Sequence, residues 1–316
     1  MKKNKIALAV HGGAGTIIKS LMTEEMERKY RTGLQKALEA GWEILSKNGS
    51  ALDAVEESVI ELENFPLFNA GKGSVFTNEE KIELDASIMD GESLKAGAVA
   101  FVRNVKNPIR LARLVLEKTE HILLGGDGAN KFAEEMKIEN APDAYFFTEH
   151  RYEQLRAAKA ENRVRLDHAE NFQFKTKNSK PLGTVGAVAC DFLGNVAAAT
   201  STGGMTNKKF GRIGDTPLIG AGTYADNRNC AVSCTGHGEF FILASTAFDV
   251  SARMKYKNIP LKNAARESIE YLTEIGGEGG LIAVDSIGNL AFEFNSEGMY
   301  RGFVCETGKV QIDIYR

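Results

Sequence analysis

Apolar positions in the first half of the chain alternate between strand-like and helix-like spacing. The run after the basic N-terminus predicts a strand that ends in the turn HGGAG. A helix is expected to start at Ser50, an N-cap residue followed three positions later by Asp53, as in a capping box. The expected strands are 5–10 and 94–102, and the expected helices are 23–47, 50–64, 107–118 with Pro108 in its first turn, and GANKFAEEMKI.

Short apolar strands dominate the chain after Thr184. They are expected at 184–190, 194–200, 230–235, 280–285 and 289–295, with helices over roughly 239–256 and 260–275. Successive strands come in pairs joined by short hairpin-type turns, as in VGAVACDFLGNVAAAT and LIAVDSIGNLAFEF. Such pairing favours an α+β fold, in which helices cover antiparallel sheets, over a doubly wound parallel sheet.

The segment between these halves, residues 151–180, is dense in charge and weakly periodic. Its first part is compatible with a continued helix, and its second part is typical of a solvated linker. We therefore expect a flexible linker over about 151–183, directly before Thr184.

The composition is that of an ordinary globular protein. Of the 316 residues, 43% are apolar and 26% are charged. A chain of this length can bury a large core. The net charge of −3 argues against a nucleic-acid partner, and no apolar run approaches the length of a membrane span. The run IALAV is too short for a signal peptide, which favours a cytoplasmic protein. The four cysteines form no paired metal pattern and are expected to be buried reduced thiols.

Four polar motifs allow chemical interpretations that compete with structural ones. GAGTYA at 220–225 fits a dinucleotide fingerprint, yet the turn-like DNRNC follows where a helix should open. GGDGAN at 125–130 suits a phosphate at a helix start, although a turn with an N-cap explains it as well. Asp85 and Asp90 form a carboxylate pair, but at this spacing they more readily fix a turn. His237, between two glycines, suits either a general base or a structural turn histidine.

The Gly183–Thr184 bond is the candidate origin of an N-terminal nucleophile. The Ser-His-Asp and zinc alternatives lack suitably spaced partners in this sequence. A threonine at a chain terminus uses its own α-amine, with a pKa of about 7.7–8.0, as the base that activates its hydroxyl. Attack of the Thr184 hydroxyl on the Gly183 carbonyl, an N→O acyl shift followed by hydrolysis, would create that terminus. A glycine before the threonine tolerates the backbone strain of this step.

Six motifs, taken together, are similar to those of a known family. In chain order they are HGGAG, FPLFNAGKGSVFT, LDASIMDG, GTVGAVACD, STGGMTNKKFGRIGDTPLIGAGTYAD and CTGHGE. The chain resembles the plant-type L-asparaginases and isoaspartyl peptidases, which are N-terminal nucleophile (Ntn) hydrolases. The resemblance implies a four-layer αββα sandwich of two mainly antiparallel sheets, formed by residues 1–316 as one domain. It also implies self-cleavage into fragments 1–183 and 184–316, and a dimer of the cleaved precursors, (αβ)2.

The resemblance assigns the catalytic roles to four residues after the cleavage site. Thr184 would be the nucleophile, and Thr202 would lie beside it and tune its hydroxyl. Thr235 and the N–H group of Gly236 would form the oxyanion hole, because a glycine-rich turn exposes amides to a developing negative charge.

The resemblance also implies which residues bind the substrate. Arg212 would hold the α-carboxylate, while Asp215 and the carbonyl of Gly238 would hold the α-ammonium group. Asn69 would face the site from the other fragment. On spacing alone, Arg212 and Asp215 are equally suited to pair with each other.

The loop LENFPLFNAGK at 62–72 matches the family loop that wraps a sodium ion in backbone carbonyls. Hard cations prefer such cages of oxygen. No cofactor is implied for catalysis, and the ion in the loop would be sodium or potassium. The carbonyls would belong to Leu62, Glu63, Phe65, Phe68, Ala70 and Lys72.

The expected activity is hydrolysis of L-asparagine and of N-terminal isoaspartyl dipeptides through a covalent threonine ester. The partners would be these small substrates, with no nucleic acid and no membrane. Glycosylasparaginase is the alternative within the family; the lack of a secretion signal, GTVG at the cut and TGHGE in the oxyanion turn argue against it. The alternative from another class is an uncleaved, inactive scaffold that binds a nucleotide through GAGTYA.

Overall fold

Two β-sheets form the centre of the molecule, and helices cover their outer faces. The computed structural model describes residues 5–161 and 183–316. The strands are β1 (Ala7–Gly15), β2 (Leu84–Asp90), β3 (Ala96–Val102), β4 (Leu123–Gly125), β5 (Val185–Cys190), β6 (Val196–Thr202), β7 (Thr223–Ala225), β8 (Cys230–Gly236), β9 (Gly279–Asp285), β10 (Leu290–Phe294), β11 (Gly298–Cys305) and β12 (Gln311–Tyr315). The helices are α1 (Glu24–Ser46), α2 (Ala51–Asn64), α3 (Pro108–Lys118), α4 (Gly126–Glu135), α5 (Asp143–Phe146), α6 (Glu149–Ala160), α7 (Gly238–Ala244), α8 (Thr246–Lys257) and α9 (Leu261–Glu274).

The sheets and helices stack in four layers. The large sheet has the strand order β12-β11-β1-β5-β6-β2-β3-β4, and the small sheet has the order β10-β9-β8-β7. Among the described strands, all neighbours pair antiparallel except β3 and β4. Helices α1, α2 and α3 pack on one face of the large sheet, the small sheet packs on the other face, and α8 and α9 cover the small sheet. The predicted αββα sandwich is confirmed.

The strands β5 and β6 lie in the middle of the large sheet and are buried on both faces. In β5, Ala187 and Ala189 point into the core beneath the helices, whereas Val188 and Cys190 point into the core between the sheets. Alternate side chains of one strand therefore fill different layers. This double burial explains why VGAVAC is a continuous run of small apolar residues without polar alternation.

Most predicted elements are confirmed to within a few residues. The Oγ atom of Ser50 accepts a hydrogen bond from the N–H group of Asp53, so α2 begins as the capping pattern predicted. Pro108 is the first residue of α3, where its missing N–H has no helical partner to lose. No helix in the described ranges combines the length and the apolarity needed to cross a bilayer.

Three local predictions are wrong because tertiary pairing overrides the local signal. HGGAG is not a turn but continues β1 along β11, with an irregularity between His11 and Gly13. Asp85 lies within the buried strand β2, and only Asp90 turns the chain, by accepting from Ser93. The single helix expected over 239–256 is divided into α7 and α8 at Ser245, whose φ of 47° is left-handed.

The segment predicted as a linker begins with a helix. Thr148 caps α6 by accepting from the N–H group of Arg151, and the helix buries Arg151, Leu155 and Ala158. The linker predicted from about 151 is therefore wrong as far as residue 160, where the helical alternative is correct. Its remaining part, 162–182, lies outside the described residues.

Candidate active site

The hairpin formed by β5 and β6 brings Thr184 beside Thr202. Val185 pairs with Ser201 in this antiparallel ladder, so the residue before β5 lies opposite the last residue of β6. Asp191 fixes the turn between the strands, because its side chain accepts two backbone N–H groups of that turn. Thr184 Oγ1 donates a hydrogen bond of 3.2 Å to Thr202 Oγ1, and both residues are buried. The two threonines predicted to act together are therefore in contact.

The carbonyl oxygen of Gly183 accepts two hydrogen bonds. Asn69 Nδ2 donates to it at 2.8 Å, and Thr202 Oγ1 donates to it at 3.3 Å. The Thr202 hydroxyl also accepts from the Gly204 N–H group at 3.0 Å and from the Thr184 hydroxyl. With one bond donated and two accepted, this hydroxyl uses its full capacity. The carbonyl of the predicted cleavage site is therefore polarised by the same hydroxyl that contacts the predicted nucleophile.

A buried histidine supports Thr184 from behind. His11 Nδ1 lies 3.0 Å from the carbonyl oxygen of Thr184, and His11 Nε2 lies 2.9 Å from Ser233 Oγ. Because a carbonyl oxygen only accepts, Nδ1 carries the proton and Nε2 accepts from the serine. Burial lowers the pKa of His11 to about 3, so the imidazole is neutral. His11 therefore orients the backbone of Thr184.

A pocket opens beside Thr184, and one wall carries a buried carboxylate. Asp215 is 4% exposed, and its Oδ2 atom has no hydrogen-bond partner among the described residues. Burial raises the pKa of Asp215 to about 7, although the charge of Arg212 opposes this shift. An unsatisfied buried carboxylate favours a bound cation. The pocket is lined by Gly183, Thr184, Thr202, Gly204, Met205, Arg212, Gly214, Asp215, Thr216 and Gly236.

Arg212 forms its ion pair with Glu239, so the pairing with Asp215 that the spacing allowed is not the one observed. The Nε and Nη2 atoms of Arg212 donate to the two carboxylate oxygens of Glu239, both at 2.9 Å. The third nitrogen, Nη1, faces the pocket wall, because a Cβ atom on Gly214 would lie 2.7 Å from it. A Cβ atom on Gly238 would lie 2.7 Å from Asp215 Oδ1 and 2.8 Å from Arg212 Nη2. Only glycine at 238 therefore lets both charged groups keep their places.

Thr235 and Gly236, the two residues predicted to form the oxyanion hole, lie at the end of β8. Thr235 Oγ1 is buried without a hydrogen-bond partner in the described part of the chain, and Gly236 lines the pocket. His237 Nε2 lies 3.5 Å from Glu239 Oε2, and the ring packs edge-on against Phe240. These contacts favour the structural interpretation of His237 over that of a general base.

The loop at 62–72 presents neutral backbone oxygens. Three of the predicted carbonyls, those of Leu62, Phe65 and Ala70, each accept the N–H group three residues on. A carbonyl oxygen has a second lone pair, so the donor set still fits a hard monovalent cation. Gly71 folds the loop back onto Glu63, because a Cβ atom on Gly71 would lie 2.5 Å from the Glu63 carbonyl. Among residues 5–161 and 183–316, no group of three or more His, Cys, Asp or Glu side chains is arranged to hold a metal ion.

Sequence reasoning missed two contacts of this site. Glu239 ends the quoted motif TGHGE, but its bond to Arg212 joins α7 to a loop 27 positions earlier in the chain. His11 belongs to HGGAG, and it reaches the Thr184 carbonyl across 173 positions. Residue spacing predicts neither hydrogen bond. The only signal in the sequence was that Glu239 and His11 both belong to quoted motifs.

The GAGTYA motif does not have the surroundings of a dinucleotide fingerprint. Its last three residues form β7, which pairs with β8. A fingerprint of this kind must open a helix whose N-terminus holds the phosphates. The motif instead turns the chain into the small sheet.

Comparison with known proteins identifies the family. Residues 4–314 match the family model described as asparaginase. The chain belongs to the asparaginase family. It is 50% identical to the isoaspartyl peptidase of Salmonella typhimurium over 314 residues, which cover 99% of each chain. It is 49% identical to the isoaspartyl peptidase of Escherichia coli, over 99% of this chain and 97% of that protein. It is 42% identical to a probable isoaspartyl peptidase/L-asparaginase 2 of Arabidopsis thaliana, over 98% of each. The resemblance indicated by the motifs is confirmed.

We predict that Asp215→Asn stabilises this asparaginase-family chain relative to the parent, and that this advantage grows as the pH rises. The folded chain holds the Asp215 proton up to about pH 7, whereas the unfolded chain releases it near the ordinary pKa of 3.8. The free energy of unfolding therefore falls between these two values, and the whole loss is present above pH 7. The variant lacks this titration. Its Tm should exceed that of the parent by several degrees more at pH 8 than at pH 4, since about 1 kcal/mol shifts the Tm of a large domain by roughly 2 °C.

Calorimetry at both pH values on the Thr184→Ala background, which lacks the hydroxyl predicted to cleave the chain, checks this expectation. Arg212, Glu239 and Asp85 are the charged groups that interact with Asp215, and they are the same residues in both proteins. Asp127→Asn, on the exposed surface of α4, is the matched control. A Tm difference for Asp215→Asn that is the same at both pH values contradicts the raised pKa.

Proposed function

We propose that this chain is a self-cleaving amidohydrolase that hydrolyses L-asparagine and N-terminal isoaspartyl dipeptides through an ester on Thr184. The observation that carries the proposal is the shared hydroxyl of Thr202, which accepts from Thr184 and donates to the carbonyl of Gly183. The names of the similar bacterial and plant proteins support the substrate class.

The first reaction is the cleavage of the chain by its own threonine. The Thr184 oxygen attacks the Gly183 carbonyl carbon; its proton passes to Thr202, and the Thr202 proton passes to the Gly183 oxygen. Asn69 Nδ2, at 2.8 Å from that oxygen, stabilises the charge that develops on it. Breakage of the C–N bond returns a proton to the new amine and leaves an ester. Water then hydrolyses the ester to a Gly183 carboxylate and a free Thr184.

The second reaction uses the amine that the first one releases. The Thr184 amine takes the proton of its own hydroxyl, which attacks the side-chain carbonyl of the substrate. The unsatisfied Thr235 hydroxyl and the Gly236 N–H group would stabilise the oxyanion. Ammonia or an amino acid leaves with the proton, and water hydrolyses the β-aspartyl ester. His237 has no part in this scheme.

The pocket would recognise the free α-carboxylate and the free α-ammonium group of the substrate. Arg212 Nη1 would bind the α-carboxylate, while Nε and Nη2 stay with Glu239 and fix the plane of the guanidinium. The unsatisfied Oδ2 of Asp215 and the Gly238 carbonyl would bind the α-ammonium group. Asparagine and an N-terminal isoaspartyl residue have both groups free, whereas an α-aspartyl peptide has its α-carboxyl group in the peptide bond.

The proposal extends to the surroundings of the enzyme. A monovalent ion, sodium or potassium, would be held by the carbonyls of the loop at 62–72 and would order the loop that carries Asn69. The cleaved chains would form a dimer, (αβ)2, in the cytoplasm. The four free cysteines of the chain, three of them buried, support a reducing compartment.

We expect the purified wild-type chain to consist of two fragments, 1–183 and 184–316, that stay together because β1 of one fragment pairs with β5 of the other. Mass spectrometry reports the cleavage and its position together. Thr184→Ala should remain one chain and be inactive, since it lacks the attacking oxygen. If Thr184→Ala splits at the same bond, the proposal is wrong.

We expect hydrolysis of L-asparagine and β-aspartyl dipeptides and none of α-aspartyl dipeptides. Arg212→Ala should lower kcat/KM on the β-linked dipeptide. The loss of transition-state stabilisation should be roughly 2–5 kcal/mol, the range for truncating one partner of a buried charge pair. It should still cleave itself, because that step involves no free α-carboxylate. Arg228→Ala, which removes another bidentate arginine–carboxylate pair, with Asp226, outside the pocket lining, is the control. Comparable kcat/KM for the α- and β-linked isomers would refute this recognition scheme.

We expect exchange of sodium for a bulky organic cation to lower the Tm or the activity, because an ion that binds only the folded loop stabilises it by mass action. Thermal unfolding and asparagine hydrolysis in matched chloride salts measure both quantities. Choline as the replacing cation keeps the ionic strength constant. Identical Tm and activity in sodium, potassium and choline after exhaustive dialysis speak against the ion site.

A further inference from the structure

A guanidinium group is buried beneath the loop that carries Asn69. Arg151, on α6, is only 1% exposed and is among the largest fully buried side chains of the described residues. Burial lowers the pKa of Arg151 to about 10, which still leaves the group charged at neutral pH. Burying a charge is unfavourable unless the protein supplies hydrogen-bond acceptors. The acceptors that Arg151 uses therefore indicate what it does.

The guanidinium holds the loop at both ends. Its Nε atom donates to the carbonyl of Gly73 at 2.7 Å, and its Nη2 atom donates to the carbonyl of Leu67 at 3.1 Å. Nη1 donates to Gln154 one helical turn away, which steadies the side chain. Leu67 and Gly73 bracket Asn69 from either side. One planar group thus fixes the span of the loop from residue 67 to residue 73.

The loop is also fixed by the packing of an aromatic side chain. The ring of Phe68 is fully buried, and its centroid lies 5.6 Å from that of Tyr30 and 5.5 Å from that of Phe65. Gly12 and Gly33 make room for it, because a Cβ atom on either would lie within 3 Å of the ring. Phe68 thus anchors the loop in the core, while Arg151 holds the backbone carbonyls of Leu67 and Gly73.

The contacts of Arg151 and Phe68 together position the Asn69 side chain. Its Nδ2 atom donates to the carbonyls of Gly183 and Gly204, both at 2.8 Å, and its Oδ1 atom accepts from Val75 at 3.0 Å. Its backbone carbonyl accepts from Gly203 at 3.1 Å. An amide with all of these partners keeps one orientation only while the loop keeps its span. A small change of span would move Nδ2 away from the Gly183 oxygen, and such a change is costly for catalysis.

We propose that Arg151 is a positioning residue for self-cleavage, which sets the span of the loop 67–73 and thereby holds the Asn69 amide on the Gly183 carbonyl. The inference rests on the self-cleavage proposed above. It assigns a role in the reaction to α6, the last described helix before the proposed cleavage site. The stability of the fold alone does not require a buried arginine in this helix. A buried ion-forming side chain often gives no more stability than an apolar side chain of similar volume.

The test is the rate at which freshly purified precursor splits, followed by gel and mass spectrometry. Arg151→Met keeps most of the volume and removes the donors, and we expect it to slow cleavage at least tenfold. Arg253→Met is the matched control, since Arg253 is also largely buried but pairs with Asp249 and Glu267 on α8 and α9. The control should cleave at the wild-type rate. After full maturation, Arg151→Met should keep its KM for L-asparagine within about twofold, because other residues bind the substrate.

The double variant separates positioning from general stability. If Arg151 acts through Asn69, the variant Arg151→Met/Asn69→Ala should cleave no more slowly than Asn69→Ala alone. Multiplied effects of the two substitutions overturn the inference, and so does cleavage of a folded Arg151→Met chain within twofold of the wild-type rate. If Arg151→Met does not fold, Arg151→Lys, which keeps the charge but not the planar fork, is judged by the same criteria. An intact wild-type chain would instead refute the proposed function.

Discussion

The hydrogen bond from the Asn69 amide to the Gly183 carbonyl joins the loop after α2 to the peptide bond that is proposed to be cleaved. It spans 114 positions, and it exists only because the loop after α2 and the start of β5 meet at one end of the large sheet. The register of β5 and β6 fixes one side of this meeting, since the pairing of Val185 with Ser201 leaves Thr184 no place except beside Thr202. The other side depends on the burial of Phe68 and on Arg151. The geometry of the site is therefore a consequence of sheet register and loop packing.

Charge is distributed unevenly around this bond. At Thr184 itself the groups are neutral: two hydroxyls, an amide and a histidine whose low pKa keeps it uncharged. The charged groups, Arg212 and Asp215, lie on another wall of the pocket, where burial raises the pKa of the carboxyl. Such a separation suits an enzyme whose nucleophile needs a neutral amine as its base, because a nearby fixed charge would shift the pKa of that amine. In the proposed reaction, the fixed charges would instead meet the charges of the substrate.

The sequence predicted what depends on neighbours along the chain and missed what depends on distant contacts. The cap of α2 at Ser50, the hairpin of β5 and β6, and the candidate nucleophile all rest on short-range patterns, and the structure agrees with the first two. The extension of β1 through HGGAG needs β11 as a partner, and β11 comes almost 300 positions later. Likewise, the choice of Glu239 over Asp215 as the partner of Arg212 depends on how α7 packs against the loop that carries Arg212, and residue spacing contains no information about that.

The uncleaved chain also obstructs its own site. Gly183 lines the pocket, and its carbonyl oxygen occupies the donors of Asn69 and Thr202. While the peptide bond is intact, Thr184 has no free amine, and a substrate carbonyl cannot take the place that Gly183 holds. Cleavage would remove both obstacles in one step, because the oxygen that leaves with Gly183 releases the Thr202 hydroxyl to serve the new terminus. The same hydroxyl would then act twice, first toward the carbonyl of its own chain and afterwards toward the nucleophile, without any rearrangement of β6.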